Sequence, residues 1–122
     1  MATPLHIAAE MGHVEALDRL VAARCSIDQA KKDGATPLYV AACFGHVEVL
    51  DRLIAARCNV DEAREDGITP LYMAAQYGHV EVVDRLMAAR CDVEHVCANG
   101  GTLLMGAAES GRVEMVDRLL AA

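Results

Sequence analysis

The sequence predicts an all-α repeat protein, a solenoid of helix-turn-helix units joined by projecting loops or hairpins. Two observations carry that prediction. The stretch TPLHIAAEMGHVEALDRLVAARCSID from Thr3 recurs as TPLYVAACFGHVEVLDRLIAARCNVD from Thr36 and TPLYMAAQYGHVEVVDRLMAARCDVE from Thr69, with a fourth, more divergent copy from Thr102. The starts lie 33 residues apart, and such a period marks units that cannot bury their own apolar faces and lean on their neighbours. The second observation is the apolar spacing inside each copy, which follows a helix and not an alternating strand. Residues 1–122 are expected to form one repeat domain, with units 3–35, 36–68, 69–101 and 102–122. About three units suffice for a stable array.

Each element follows from local signals. Helix one begins where Thr3, Thr36 and Thr69 offer a hydroxyl cap immediately before a proline at the first helical position. It is short, because Gly12, Gly45, Gly78 and Gly111 recur at one place and suit the left-handed residue that ends a helix. After a tight turn, Val47, Leu50, Leu53 and Ile54 return at helical spacing with Glu48, Asp51 and Arg52 between them, which predicts an amphipathic helix two antiparallel to helix one. Glu15/Arg19, Glu48/Arg52, Glu81/Arg85 and Glu114/Arg118 stand four apart in the order that favours ion pairing on a helix. The linking stretches carry one apolar residue early (Ile27, Val60, Val93) and an Asp-Gly or Asn-Gly dipeptide late, the signature of a tight turn. Ala41-Ala42 and Ala74-Ala75 make helix one the thinner layer, so the stack is expected to curve with helix one and the loops on its concave side.

Those residues resemble the ankyrin repeat, whose T-P-L-H-x-A motif stands unaltered as Thr3-Pro4-Leu5-His6-Ile7-Ala8 and whose G-H-x-E-V-V stretch stands as Gly78 to Val83. The resemblance covers essentially the whole chain. It implies a non-catalytic protein-interaction module that binds partners with the loop tips and the exposed face of helix one. The departures are Tyr39 and Tyr72 in place of His, and Arg24, Arg57 and Arg90 where a helix-ending Gly is usual. Cys25, Cys58 and Cys91 stand where the family usually has Ala. The fourth unit departs furthest, with Leu103, Met105, Gly106 and Arg112 replacing family residues, as expected of a terminal unit.

Composition narrows the function. With 11 Lys+Arg against 18 Asp+Glu the chain carries a formal charge of −7, which disfavours nucleic acid and anionic membrane as partners. No apolar run approaches the roughly 20 residues of a membrane span, and the sequence opens directly into patterned repeats. The five cysteines include no C-x-x-C pair, so reduced thiols in a cytoplasmic or nuclear setting are expected. Catalysis lacks its parts: Ser26 and Ser110 have no His–acid arrangement, and Cys43 is separated from His46 by a turn glycine. Cys91, His95 and Cys97 lie within seven residues, but no fourth convergent ligand is indicated, so neither metal nor cofactor is expected. His13, His46 and His79 recur at the inter-helix turn and are expected to hydrogen-bond nearby backbone.

The candidate partner-binding residues are those where the repeats stop agreeing. Before the turn glycine the pairs are Glu10-Met11, Cys43-Phe44, Gln76-Tyr77 and Glu109-Ser110. Met11, Phe44 and Tyr77, flanked by Cys43 and Gln76, would form an apolar line across three units, the composition of a binding hot spot. The alternative is that Phe44 and Tyr77 pack on a neighbouring unit. Lys32, Asp33, Glu65, Asp66, Ile68 and Asn99, with Ala35 beside them, are expected at the flanking loop tips. The acidic middle loop suits a protein or peptide offering apolar groups together with Lys or Arg. A second reading is structural: a spacer of a longer array, or an engineered or duplicated array that stacks end to end. It rests on ends that carry little polar cover, with Leu119 and Leu120 expected on the inner side like Leu53 and Ile54. The chain is accordingly expected to be a monomer or to self-associate weakly end to end.

Overall fold

The computed structural model describes residues 3–24, 26–61, 64, 66–89, 105, 107–108 and 111–121. Helix one of the first three units is α1 (Pro4–Met11), α3 (Pro37–Phe44) and α5 (Pro70–Tyr77). Helix two of the four units is α2 (Val14–Ala22), α4 (Val47–Ala55), α6 (Val80–Ala88) and α7 (Val113–Ala121). No strand occurs among the described residues.

The helix starts follow the Thr-Pro signal. Thr3, Thr36 and Thr69 hold extended backbone, and their hydroxyls accept from the N–H groups of His6, Tyr39 and Tyr72. This satisfies donors that the first turn would otherwise leave orphaned. At the other end Gly45 adopts φ 72°, and the His46 N–H returns to the Ala41 carbonyl at 3.0 Å, which closes the helix while reversing the chain. Helix two stops by the same bond pattern without a glycine. Arg24 and Arg57 sit at φ 63° and 66°, and Cys58 N–H reaches the Leu53 carbonyl at 3.2 Å while Arg57 N–H reaches that of Ile54 at 2.9 Å. Arg90, with Cys25 and Cys91, lies outside the described residues.

The helices form two layers. Helix one packs on the next helix one (α1 on α3, α3 on α5) and helix two on the next helix two (α2 on α4, α4 on α6). Ala41, Ala42, Ala74 and Ala75 are fully buried between successive helices of the first layer. In the second layer Val49, Leu50 and Leu53 are fully buried and Val47 and Ile54 half-buried. Val49 widens the apolar stripe beyond the expected one, because α4 has a helix-two neighbour on either side. Unit four joins the stack through Ala107 and Met115, both buried.

Three expectations are corrected by the fold. Glu15–Arg19 and Glu114–Arg118 pair as the spacing suggests, but Arg52 and Arg85 turn instead to Asp18 and Asp51 of the preceding unit. Arg118 adds Asp84 to its own-helix partner. The second correction is Ala35, which is buried rather than at a loop tip, its carbonyl accepting from Lys31 N–H and from His6 Nε2, each at 2.8 Å. Last, Leu119 is half-buried but Leu120 is 66% exposed, where its counterparts Ile54 and Met87 are half-buried.

Candidate partner-binding groove

The loops between units share one construction that sets the height of the groove wall. Lys31 N–H bonds the Ala35 carbonyl and Gly34 N–H the Lys31 carbonyl, and the Asp33 carboxylate accepts from Ala35 N–H at 3.0 Å. One unit later Arg64, Ile68, Gly67 and Asp66 repeat the arrangement, with Asp66 accepting from Ile68 N–H at 3.1 Å. Both Asp-Gly turns therefore use the aspartate to hold the turn in place. These bonds favour the charged form: the Ala35 N–H draws the Asp33 carboxyl below its ordinary pKa, and Arg64 does the same for Asp66.

Arg64 also lies over the Tyr39 ring, 5.5 Å from its centroid, close enough for a cation–π contact. Tyr39 occupies the place of His6 one unit later, and its buried hydroxyl has no hydrogen-bond partner among the described residues. Burial pushes the Cys43 thiol up to about 11 and the Cys58 thiol up to about 12, which disfavours the thiolate at neutral pH. Among the described residues no group of three or more His, Cys, Asp or Glu is placed to hold a metal. Cys91, His95 and Cys97 lie outside them.

The ends of helix one complete the groove. Phe44 is 54% exposed and Tyr77 51%, one turn beyond the buried Val40 and Met73. Phe44 stacks on His46 with ring centroids 6.2 Å apart, and Tyr77 stands 6.4 Å from His79. Those histidines fix the backbone beneath the row: His46 Nε2 donates to the Glu10 carbonyl at 2.8 Å and His79 Nε2 to that of Cys43 at 2.9 Å. Arg112 takes the same place in unit four, its Nε donating to the Gln76 carbonyl at 3.0 Å. Each carbonyl belongs to the residue just before Met11, Phe44 or Tyr77.

Between units two and three these parts enclose an open cleft of about 600 Å³. Of the residues singled out from sequence for the groove and its loops, Asp33, Ala35, Cys43, Phe44 and Tyr77 line it. Met11 is exposed at the equivalent place in unit one, and Lys32 is exposed on the loop. Ile68 and Gln76 are half-buried and Asp66 faces Arg64, so none of the three lines the cleft. Glu65 and Asn99 lie outside the described residues. Sequence reasoning missed Tyr39, Val40, Arg64 and Met73 as lining residues. The four-residue spacings Tyr39–Cys43, Val40–Phe44 and Met73–Tyr77 were the available signal, since they place those pairs on one helix face.

A family model described as ankyrin repeats (3 copies) matches residues 1–64 and 45–122. Comparison with curated proteins gives no match. With the capped helix pairs, the repeated Asp-Gly turns and a family match running through all four units, the chain belongs to the ankyrin repeat family, whose members are in general protein–protein interaction modules.

Proposed function

We propose that this chain is a non-catalytic binding module that holds a protein or peptide against the helix-one and loop face. The observation that carries the reading is the pair of half-exposed aromatics, Phe44 and Tyr77, at the mouth of the cleft between units two and three. Each stands on a helix whose other side is fully buried, so its position is fixed before a partner arrives, which lowers the ordering cost of binding. Large rigid rings beside a concavity are the usual anchors of an interface. Around them lie Lys31, Asp33 and the Arg64–Asp66 pair. On a chain of net charge −7, they suit a partner that inserts an apolar side chain and brings Lys or Arg to the rim.

A displayed random peptide library panned on the reduced protein tests this. Enriched peptides are expected to combine aromatic or aliphatic residues with Lys or Arg, and to lose affinity by roughly tenfold or more on the Phe44→Ala/Tyr77→Ala variant. Unfolding free energy of that variant should stay within about 1 kcal/mol of wild type, as for surface positions. Undiminished binding would remove the aromatic pair from the site, and a collapse in stability would make the two rings part of the core.

A further inference from the structure

One position of helix one changes its role between units. In unit one His6 ties its own unit to the loop that follows: its Nε2 donates to the Ala35 carbonyl at 2.8 Å while its Nδ1 accepts from Thr3 N–H at 3.2 Å. Tyr39 stands at the same place in unit two. It is as deeply buried, 3% exposed against 2% for His6, yet its hydroxyl makes no hydrogen bond among the described residues. The carbonyl equivalent to that of Ala35 belongs to Ile68, and it accepts from Arg64 N–H instead. A buried hydroxyl without a partner carries its full desolvation cost, and a group of this kind in a folded protein calls for an explanation.

The unmade bond lies at the cleft between units two and three, which Tyr39 lines together with Cys43 and Tyr77. Burial raises the pKa of the hydroxyl, and the neighbouring Cys43, Asp66 and Tyr77 add to the effect, so the group stays protonated and can donate. Arg64, which lies over the ring, and Met73, which reaches the cleft from α5, are long unbranched side chains. Such side chains change rotamer readily when a partner enters. The charges around the cleft are balanced: Lys31 and Arg64 stand against Asp33 and Asp66, and Asp66 already holds Arg64. An ion entering this site would find no net countercharge, and burying an unmatched ion costs far more than burying a hydrogen-bonded neutral amide.

We propose that this cleft is a subsite for a glutamine side chain of the bound peptide, with its methylenes against Val40, Phe44 and Met73 and its carboxamide oxygen accepting from the Tyr39 hydroxyl. The proposal deepens the groove reading and rests on it. Both halves of the carboxamide find a complement. Its oxygen meets the unpartnered donor, and its N–H groups have the Asp33 carboxylate in the same cleft to donate to, where Oδ1 is the oxygen that holds Ala35 N–H. An aliphatic side chain would fill the same space but seal the hydroxyl in unpaired. A glutamate would bring a negative charge into a site whose charges already cancel. Selection by an otherwise unsatisfied polar group is the kind that discriminates most sharply against an analogue lacking the matching atom.

The test pans the displayed random peptide library in parallel on the reduced wild type and on Tyr39→Phe, and checks each enriched peptide for groove dependence on Phe44→Ala/Tyr77→Ala. Among groove-dependent peptides, wild type is expected to enrich glutamine at one position, and Tyr39→Phe to enrich Leu or Met there. In a synthetic peptide, changing that glutamine to Leu should weaken binding to wild type roughly three- to tenfold and leave binding to Tyr39→Phe unchanged. Changing it to Glu should weaken binding to wild type by at least as much. Tyr39→Phe itself should unfold at the same denaturant concentration as wild type or a higher one, because it deletes only an unpartnered buried hydroxyl. Groove-dependent peptides that show no glutamine preference, or that bind Tyr39→Phe equally well, overturn the subsite and leave the groove reading standing. The absence of any groove-dependent peptide overturns both. A lower unfolding midpoint for Tyr39→Phe overturns the subsite too, since the hydroxyl would then have its partner within the protein.

Discussion

Arg57 closes α4 at φ 66° and Arg24 closes α2 at φ 63°, a conformation that brings Cβ against the following carbonyl and that glycine adopts freely. Arg57→Gly is therefore expected to stabilise the chain by about 1 kcal/mol, a rise of roughly 4 °C in melting temperature for a domain of this size. An unchanged or lowered midpoint would show that the arginine side chain returns as much as its backbone costs. His6 makes a second residue-scale prediction. Thr3 N–H donates to its Nδ1 at 3.2 Å and its Nε2 faces the Ala35 carbonyl at 2.8 Å, so the ring is neutral, with the proton on Nε2. Burial, the largest influence, lowers its pKa below 6.5. A histidine whose pKa is depressed by folding binds more protons when unfolded, so its contribution is complete above about pH 6.5 and is lost as pH falls toward the folded value. Chemical denaturation at pH 7.5 and 5 should show wild type losing more stability on acidification than His6→Tyr, which carries the residue of units two and three. Equal losses would place the pH response on other groups.

At the scale of the element, the turn between the two helices is where a unit is tied to its neighbour. A Cβ at Gly45 would lie 2.6 Å from His79 Nδ1, while His79 Nε2 holds the Cys43 carbonyl. Gly45→Ala is expected to cost about 2 kcal/mol, combining left-handed strain with a displaced inter-unit hydrogen bond. Gly111, at φ 67° with nothing within 4 Å of its own Cβ site, should cost only the strain, about 1 kcal/mol. If both alanine variants unfold at the same denaturant concentration, the histidine contact contributes nothing. The sequence made the helices readable because their signals are local: Thr36-Pro37 caps α3 and Gly45 ends it within nine residues. The ties between units were less readable. Arg52 has Glu48 four residues before it on its own helix and chooses Asp18, which is 34 positions away, and only the stacking register decides between them. The same holds for the groove. Phe44 and Tyr77 announced themselves by breaking the repeat, but Tyr39 and Arg64 meet only after the loop beyond α4 folds back over α3, the helix one of the same unit.

The whole molecule behaves as a row of units whose stability is a sum of unit terms and nearest-neighbour interfaces. In the middle of the row α4 buries Val49, Leu50 and Leu53 and α6 buries Val82, Val83 and Leu86, whereas α2 fully buries only Leu17. Each further buried aliphatic side chain contributes on the order of 1.5–3 kcal/mol. The opening that exposes α2 is thus cheaper than the opening that exposes α4 by a few kcal/mol, and opening free energy is what amide exchange reads. Native-state hydrogen exchange at low concentration should therefore show α4 and α6 protected on the order of a hundredfold more than α2. Equal protection in all helices would mean that the row opens only as one piece, and the nearest-neighbour account would fail.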